Sequence, residues 1–294
     1  MCLFLTAIGC QLLLSQISNL LSPISNVKTI FSPMLKLANA ISFLKHRIKA
    51  KTRHGIHSPF VYRLIDQVIY DFRAKTVYQD IEQLRVDLLP DERQISITEA
   101  GKASNFNQNK QRQISSVVKE VLKPARLDQL IHRLVADQKP GNIIELGACL
   151  GITTAYLAKA APEARIFSIE KYSDTIAIAR ENLQKLNIRN VELLSGNVEE
   201  LLPKLLKEIP ELDFIVIGGN NSEEATLNYF KWCFPKMTEH SMMVFEDIYR
   251  SKEIKLAWNE IKSNPEVSVT IDMFWIGLVF FRKAQRKEDF KIRF

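Results

Sequence analysis

The sequence predicts an α/β fold: a doubly wound, mostly parallel sheet with a C-terminal antiparallel hairpin and an α-helical N-terminal cap. Two patterns predict the sheet. From Asn142 onward, short apolar runs alternate with amphipathic stretches, in the order NIIELG, TTAYLAKAAP, RIFSIE, SDTIAIARENLQKL, VELLSG, DFIVIG and SMMVFED. Buried runs separated by helices are the pattern of parallel strands joined by right-handed crossovers. Near the end, Val267, Val269, Ile271 and Met273 alternate with Ser268, Thr270 and Asp272, and IGLVFFR follows Phe274 and Trp275. That alternation followed by a second run reads as two antiparallel strands. No repeat of 20 to 50 residues is present.

The cap is predicted from what precedes Asn142. Residues 1–27 carry no charge before Lys28, yet Gln11, Ser15, Gln16, Ser18, Asn19 and Ser22 interrupt them. The stretch is too polar for a membrane span of about 20 apolar residues, and it lacks the basic start of a signal peptide. Residues 1–33 are therefore read as a dispensable extension, with Met34 as an alternative start of translation. Residues 40–54 place Ile41, Leu44 and Ile48 on one helical face, with Lys45, Arg47, Lys49, Lys51 and Arg53 around it. The expectation is a core stripe with a solvated basic face; a substrate-phosphate or membrane-surface contact is the alternative. His54-Gly55-Ile56-His57-Ser58-Pro59-Phe60 reads as a turn. Helices are expected around 60–90, 113–122 and 124–138, with a polar connection over 103–113. The division expected is 1–33 extension, 34–122 helical cap and substrate region, and 123–294 cofactor-binding domain.

Composition narrows the class. The 294 residues are 46% hydrophobic and 25% charged, with 10 Gly and 11 Pro, which excludes collagen-like, low-complexity and largely disordered chains. Cys2, Cys10, Cys149 and Cys233 form no Cys-x-x-Cys pair, so neither a disulfide framework nor a zinc site is expected, and the cytoplasm is the expected compartment. A net charge of +7 favours acidic partners, but no nucleic-acid motif accompanies it.

Chemistry is expected at the first strand-to-helix turn, because ligands of open parallel sheets bind beyond the carboxyl ends of the strands. That turn runs Glu145-Leu146-Gly147-Ala148-Cys149-Leu150-Gly151-Ile152-Thr153-Thr154. Gly147 and Gly151 allow a tight turn, and Thr153 and Thr154 offer hydroxyls at the helix start. Cys149 and Ile152 stand where a nicotinamide-type loop needs glycine. Glu145 at a strand end suits a cationic amine rather than a phosphate, and Glu170, ending the next strand, is placed to hold ribose hydroxyls. An amine plus a ribose without phosphates points to S-adenosylmethionine.

On these residues the run from Asn142 to Phe294 resembles a class I S-adenosylmethionine-dependent methyltransferase. IIELGACLGITTAYLA is similar to the family's first motif, IFSIEKYSDTIAIARENL to its second, and SGNVEELLP to the adenine-binding turn of the O-methyltransferase branch. HGIHSPFV and the IRF ending extend the likeness, to a bacterial O-methyltransferase-like branch, over nearly everything after Met34. The resemblance implies Glu145 as partner of the methionine amino group. By the same resemblance Gly147 and Gly151 would form the loop under the methionine, Glu170 would hold the ribose hydroxyls, Asn197 and Val198 would border the adenine, and Ala148, Thr153, Lys171, Gly196 and Gly218 are further cofactor-binding candidates.

The same resemblance exposes departures. In catechol-type relatives the fourth strand ends in an Asp that binds a divalent metal, completed by an Asp-Asn pair after the next strand. Here Gly218 replaces that Asp, Asn221 replaces a histidine of bacterial relatives, and the pair reads Glu246-Asp247. The 96–104 run SITEAGKAS also loses a glycine and gains Lys102. No tightly bound metal is expected. A hydroxyl acceptor still needs its proton removed, and Asp247 and His57 are the candidate catalytic groups, with Glu246 beside them. The expected function is methyl transfer to a small-molecule acceptor at oxygen. A catalytically impaired cofactor-binding protein of regulatory or structural role is the alternative. Neither a nucleic-acid partner nor an integral membrane span is expected.

Overall fold

The computed structural model describes residues 33–97, 110–218, 222–283 and 285–294. The expectations for residues 1–32, Lys102 and its loop, and Asn221 lie outside them.

The N-terminal segment forms α1 (Pro33–Lys49), α2 (Pro59–Leu64) continuing as a wider turn over Ile65–Ile69, α3 (Thr76–Asp87), α4 (Ile114–Glu120) and α5 (Ala125–Gln138). Ser58 caps α2 by accepting from the Val61 N–H, and Pro59 occupies its first turn. The helix expected over 60–90 is interrupted between Ile69 and Thr76, and two short antiparallel strands, β1 (Gln94–Ile97) and β2 (Lys110–Gln113), join the cap. The expected polar connection thus ends as a strand.

From Asn142 the order is β3 (Asn142–Leu146), α6 (Ile152–Ala160), β4 (Arg165–Glu170), α7 (Ser173–Lys185), β5 (Val191–Ser195), α8 (Val198–Glu208), β6 (Phe214–Ile217), α9 (Glu223–Cys233), β7 (Met242–Glu246), α10 (Lys252–Ser263), β8 (Val269–Asp272), β9 (Ile276–Phe280) and β10 (Glu288–Lys291). They build one eight-stranded sheet in the order β10-β8-β9-β7-β6-β3-β4-β5. β5, β4, β3, β6 and β7 run parallel, and β9 is antiparallel to both β7 and β8. The chain order reverses at β3, which opens a crevice at the carboxyl ends of β3, β4 and β6.

Strand periodicity divides the core between the two faces of this sheet. Ile143, Ile166, Phe214, Val216, Val244 and Leu278 pack with Leu130, Ile131 and Leu134 of α5 and Leu157 of α6. Their neighbours Ile144, Phe167, Ile215, Met243 and Val279 pack with α8, α9 and Trp258 of α10. A third cluster joins Tyr78, Ile81 and Leu84 of α3 to Ile152 and Tyr156 of α6.

The two antiparallel strands expected near the C-terminus form as β8 and β9, and Thr270 and Asp272 are as buried as Val269 and Ile271. β10, with no pattern in its EDFK sequence, pairs parallel to β8, and α1 closes over the strand end. Lys51 extends this edge, donating its N–H to the Lys291 carbonyl and accepting from the Arg293 N–H. One expectation fails, on α1. Ile41, Leu44 and Ile48 face solvent at 45%, 40% and 74% exposure, whereas His46 and Ala50 are buried. His46 Nε2 lies 2.8 Å from Asp272 Oδ1, and its ring packs on Tyr249 and Phe274. His46 takes the inner face instead, joining the Tyr249 hydroxyl and the Phe274 N–H around the Asp272 carboxylate, since a buried carboxylate needs hydrogen-bond partners.

Candidate functional site

The loop from Gly147 to Gly151 links β3 to α6 and lies at the carboxyl edge of the sheet. Gly151 has φ +79°, and a Cβ there would stand 3.2 Å from Ala179, so the backbone conformation and the contact with α7 both call for glycine. Cys149 adopts φ 49° and donates its N–H to Glu170 Oε2 at 2.9 Å. The Tyr172 N–H reaches Glu170 Oε1 at 3.2 Å. Two backbone donors therefore fix the Glu170 carboxylate beside the loop, each oxygen keeping a lone pair for a diol. Burial raises its pKa above the usual carboxylate value.

Glu145 lies beneath the loop, 1% exposed. Its Oε2 accepts from Thr154 Oγ1 at 2.5 Å and from Ser168 Oγ, tying the first turn of α6 to β4. Desolvation raises its pKa to about 7, against the hydroxyl bonds that lower it. Ala148 is buried, Lys171 is exposed with its ammonium over the Tyr172 ring, and Gly196 donates its N–H to the Glu170 carbonyl. Asn197 is exposed at the start of α8 and Val198 packs partly against the α8–α9 face.

On the other side of the switch point, Gly218 follows β6 and Glu246 ends β7. A Cβ on Gly218 would meet Glu246 Oε2 at 2.5 Å, so the Glu246 carboxylate fills the space a side chain at 218 would take. Glu246 is in turn paired with Lys123, whose ammonium also donates to Thr153 Oγ1 at 2.8 Å and lies 3.5 Å from Asp128 Oδ1. Asp128 accepts from Thr153 Oγ1 and from Arg85, both at 2.8 Å. Burial opposes the Lys123 charge, but Glu246, Asp128 and Glu145 outweigh it and hold the ammonium above its ordinary pKa. Asp247 follows in a left-handed conformation (φ 54°), with its N–H bonded to the Trp275 carbonyl, its side chain about half exposed and Arg250 3.7 Å away. A crevice lined by Gly218, Thr226, Glu246, Asp247 and Arg250 opens there.

A divalent cation does not fit this donor set. Magnesium wants several oxygen anchors in near-octahedral order. Gly218 supplies none, and an ammonium already neutralises Glu246. Among the described residues no group of three His, Cys, Asp or Glu side chains converges on one point.

The structure brings together the loop, Glu170, Gly196, Gly218, Glu246 and Asp247, but it does not bring His57 to them. His57 is exposed, and its neighbours Ser58 and Phe60 contact Gln285 and Phe280. Phe280 pairs with Met242, the first residue of β7, whereas the crevice lies at Glu246, the last. His57 thus marks the opposite end of the sheet, and its place is set by the cap on α2. Lys123 and Asp128 were not legible as site residues. The one signal was Pro124, which keeps Lys123 out of the helix that follows and leaves it just ahead of α5, where its ammonium reaches Asp128.

The sheet order is that of the class I methyltransferase fold. Residues 144–248 match the family model of a methyltransferase domain. The chain is 35% identical over 80 residues to a transmembrane O-methyltransferase homolog of Mus musculus, covering 26% of this chain and 31% of the relative. It is 25% identical over 116 residues to a catechol O-methyltransferase of Niastella koreensis, covering 38% and 52%. The match thus spans about a third of the first relative and about half of the second. Among solved structures, the SAH-bound methyltransferase of Podospora anserina superposes with a TM-score of 0.53 at 12% identity, over 87% of this chain and 100% of that one. The O-methyltransferase of Bacillus cereus in complex with SAH gives 0.50 at 18% identity, over 72% and 93%. These establish the shared fold.

Proposed function

We propose that this protein transfers the methyl group of S-adenosylmethionine to an oxygen of a small-molecule acceptor, in the reducing setting of the cytoplasm. The observation that carries the reading is the Glu170 carboxylate, fixed by the Cys149 and Tyr172 amides beside the Gly147–Gly151 loop. That arrangement fits a ribose diol with the methionine chain laid over the loop. Asn197 and Val198 then border the adenine. Two relatives named as O-methyltransferases support the chemistry.

Transfer from a sulfonium is an in-line displacement that asks the protein to align donor and acceptor and to exclude water. The acceptor proton needs a base, and Asp247 fills that role at the crevice mouth. Lys123 stays charged, holds Glu246 over Gly218 and ties α5 to the sheet. Gly218 leaves room for this carboxylate rather than for a metal ligand. A reading without turnover, in which the chain binds the cofactor as a regulatory or structural partner, draws on the same Lys123–Glu246 pair, since it closes the position family members use for a cation.

Calorimetric titration with S-adenosylmethionine and S-adenosylhomocysteine tests the cofactor half. A ligand at about 100 times its Kd raises stability by about 2.7 kcal/mol, so a clear rise in Tm is expected. Absence of binding by folded protein overturns the reading. With an acceptor identified by screening, Asp247→Asn is expected to lower kcat about a hundredfold while leaving cofactor affinity unchanged. Cofactor binding with no transfer to any acceptor favours the regulatory reading.

A further inference from the structure

We propose that α1 is an interfacial helix that docks this protein on an anionic lipid bilayer. Its inner face is fully engaged: His46 meets Asp272, and Phe43 packs edge-on against Phe274 with ring centroids 5.0 Å apart. The Arg47 carbonyl accepts from Arg293. That anchoring turns Ile41, Leu44 and Ile48 outward as a continuous aliphatic stripe. Lys45 and Lys49, both exposed, flank it, and neither has a carboxylate partner among the described residues. In the sequence, the same spacing of three and four continues back to Leu37 and Met34.

The charge distribution identifies what covers this face. Eight of the 40 Lys and Arg residues precede Asp66, and none of the 33 Asp and Glu residues does. The whole positive excess of the chain therefore sits in the segment that contains α1, and the remainder is close to neutral. A second copy of the helix would set Lys45 and Lys49 against their own equivalents. The preceding 32 residues contain no acid either, so they offer nothing to neutralise the lysines. A nucleic acid would neutralise the lysines but leave the isoleucines in water. An anionic bilayer satisfies both: aliphatic side chains enter the acyl boundary and lysines meet the headgroups. The helix also stands beside the acceptor crevice, since Phe43 packs on Trp275, whose carbonyl accepts from the Asp247 N–H.

The test is co-sedimentation of the full chain with phosphatidylcholine vesicles, with and without one third phosphatidylserine, at low and high salt. Binding is expected to the anionic vesicles alone and to weaken with salt. Lys45→Ala with Lys49→Ala is expected to reduce partitioning at least about tenfold. Ile41→Gln with Ile48→Gln is expected to abolish it while leaving Tm unchanged, because both side chains are exposed. Equal binding of the variants and the parent chain overturns the proposal, by placing the contact elsewhere. Equal binding to neutral vesicles, no binding, a preference for RNA over vesicles, or a dimer that the isoleucine variant dissociates without altering vesicle binding also overturns it.

Discussion

The two sides of the crevice are built differently. On the β3–β5 side, the groups at the loop lie close in sequence to the turns that hold them. Glu170 is fixed by the amides of Cys149 and Tyr172, and Gly151 contacts Ala179 of the next helix. On the β6–β7 side, Glu246 is positioned by Lys123, 123 residues away, and Asp247 by Trp275 across a strand pair. One side is a local motif with short supports; the other is an electrostatic cluster assembled from distant elements. The first tolerates divergence elsewhere in the chain, and the second changes whenever one member changes. It is there that this sequence departs from the relatives it resembles.

The largest test of that difference is Lys123→Met. Removing the ammonium leaves Glu246 and Asp128 without their shared cation, and a loss of about 3 kcal/mol or more is expected at pH 7 by denaturant titration. Adding Glu246→Gln is expected to recover part of it, a non-additivity that a distant pair would not show.

Glu145 gives the next effect. Its pKa is raised from 4.5 to about 7, first by desolvation. Folding thus favours the protonated acid. Its stabilising contribution is fully present below the unfolded value and is lost as pH rises through about 7, a change of about 3 kcal/mol. Glu145→Gln is expected to flatten the fall in stability between pH 4.5 and 7.

Glu170→Gln is expected to weaken S-adenosylhomocysteine binding by about tenfold to a hundredfold without a comparable drop in Tm, because charged hydrogen bonds to a diol are lost. Gly151→Ala is the smallest, about 1–2 kcal/mol, from the left-handed backbone alone. It should lower Tm and cofactor affinity together. A Lys123 variant that left Tm unchanged while Gly151→Ala unfolded the protein would reverse the comparison.

β6 and β7 were legible because each is buried and reads as an apolar run, while β3 and β4 were legible although Glu145 and Ser168 interrupt theirs. The glycine loop was legible because its glycines and Glu170 sit at fixed offsets from those runs. His57 was misplaced because a histidine on a turn carries no sign of which end of the sheet the turn reaches. The α1 stripe was misread because periodicity finds an apolar face without saying what it meets.

By itself the sequence determined the α/β order, the parallel sheet and the glycine loop, since these follow from local periodicity and short-range backbone geometry. Tertiary structure alone decided that Lys123 neutralises Glu246, that Asp272 draws His46 inward, and that β10 covers β8. Each of these is set by the cost of leaving a buried charge or a strand edge unpaired, and that cost exists only once distant parts of the chain have met.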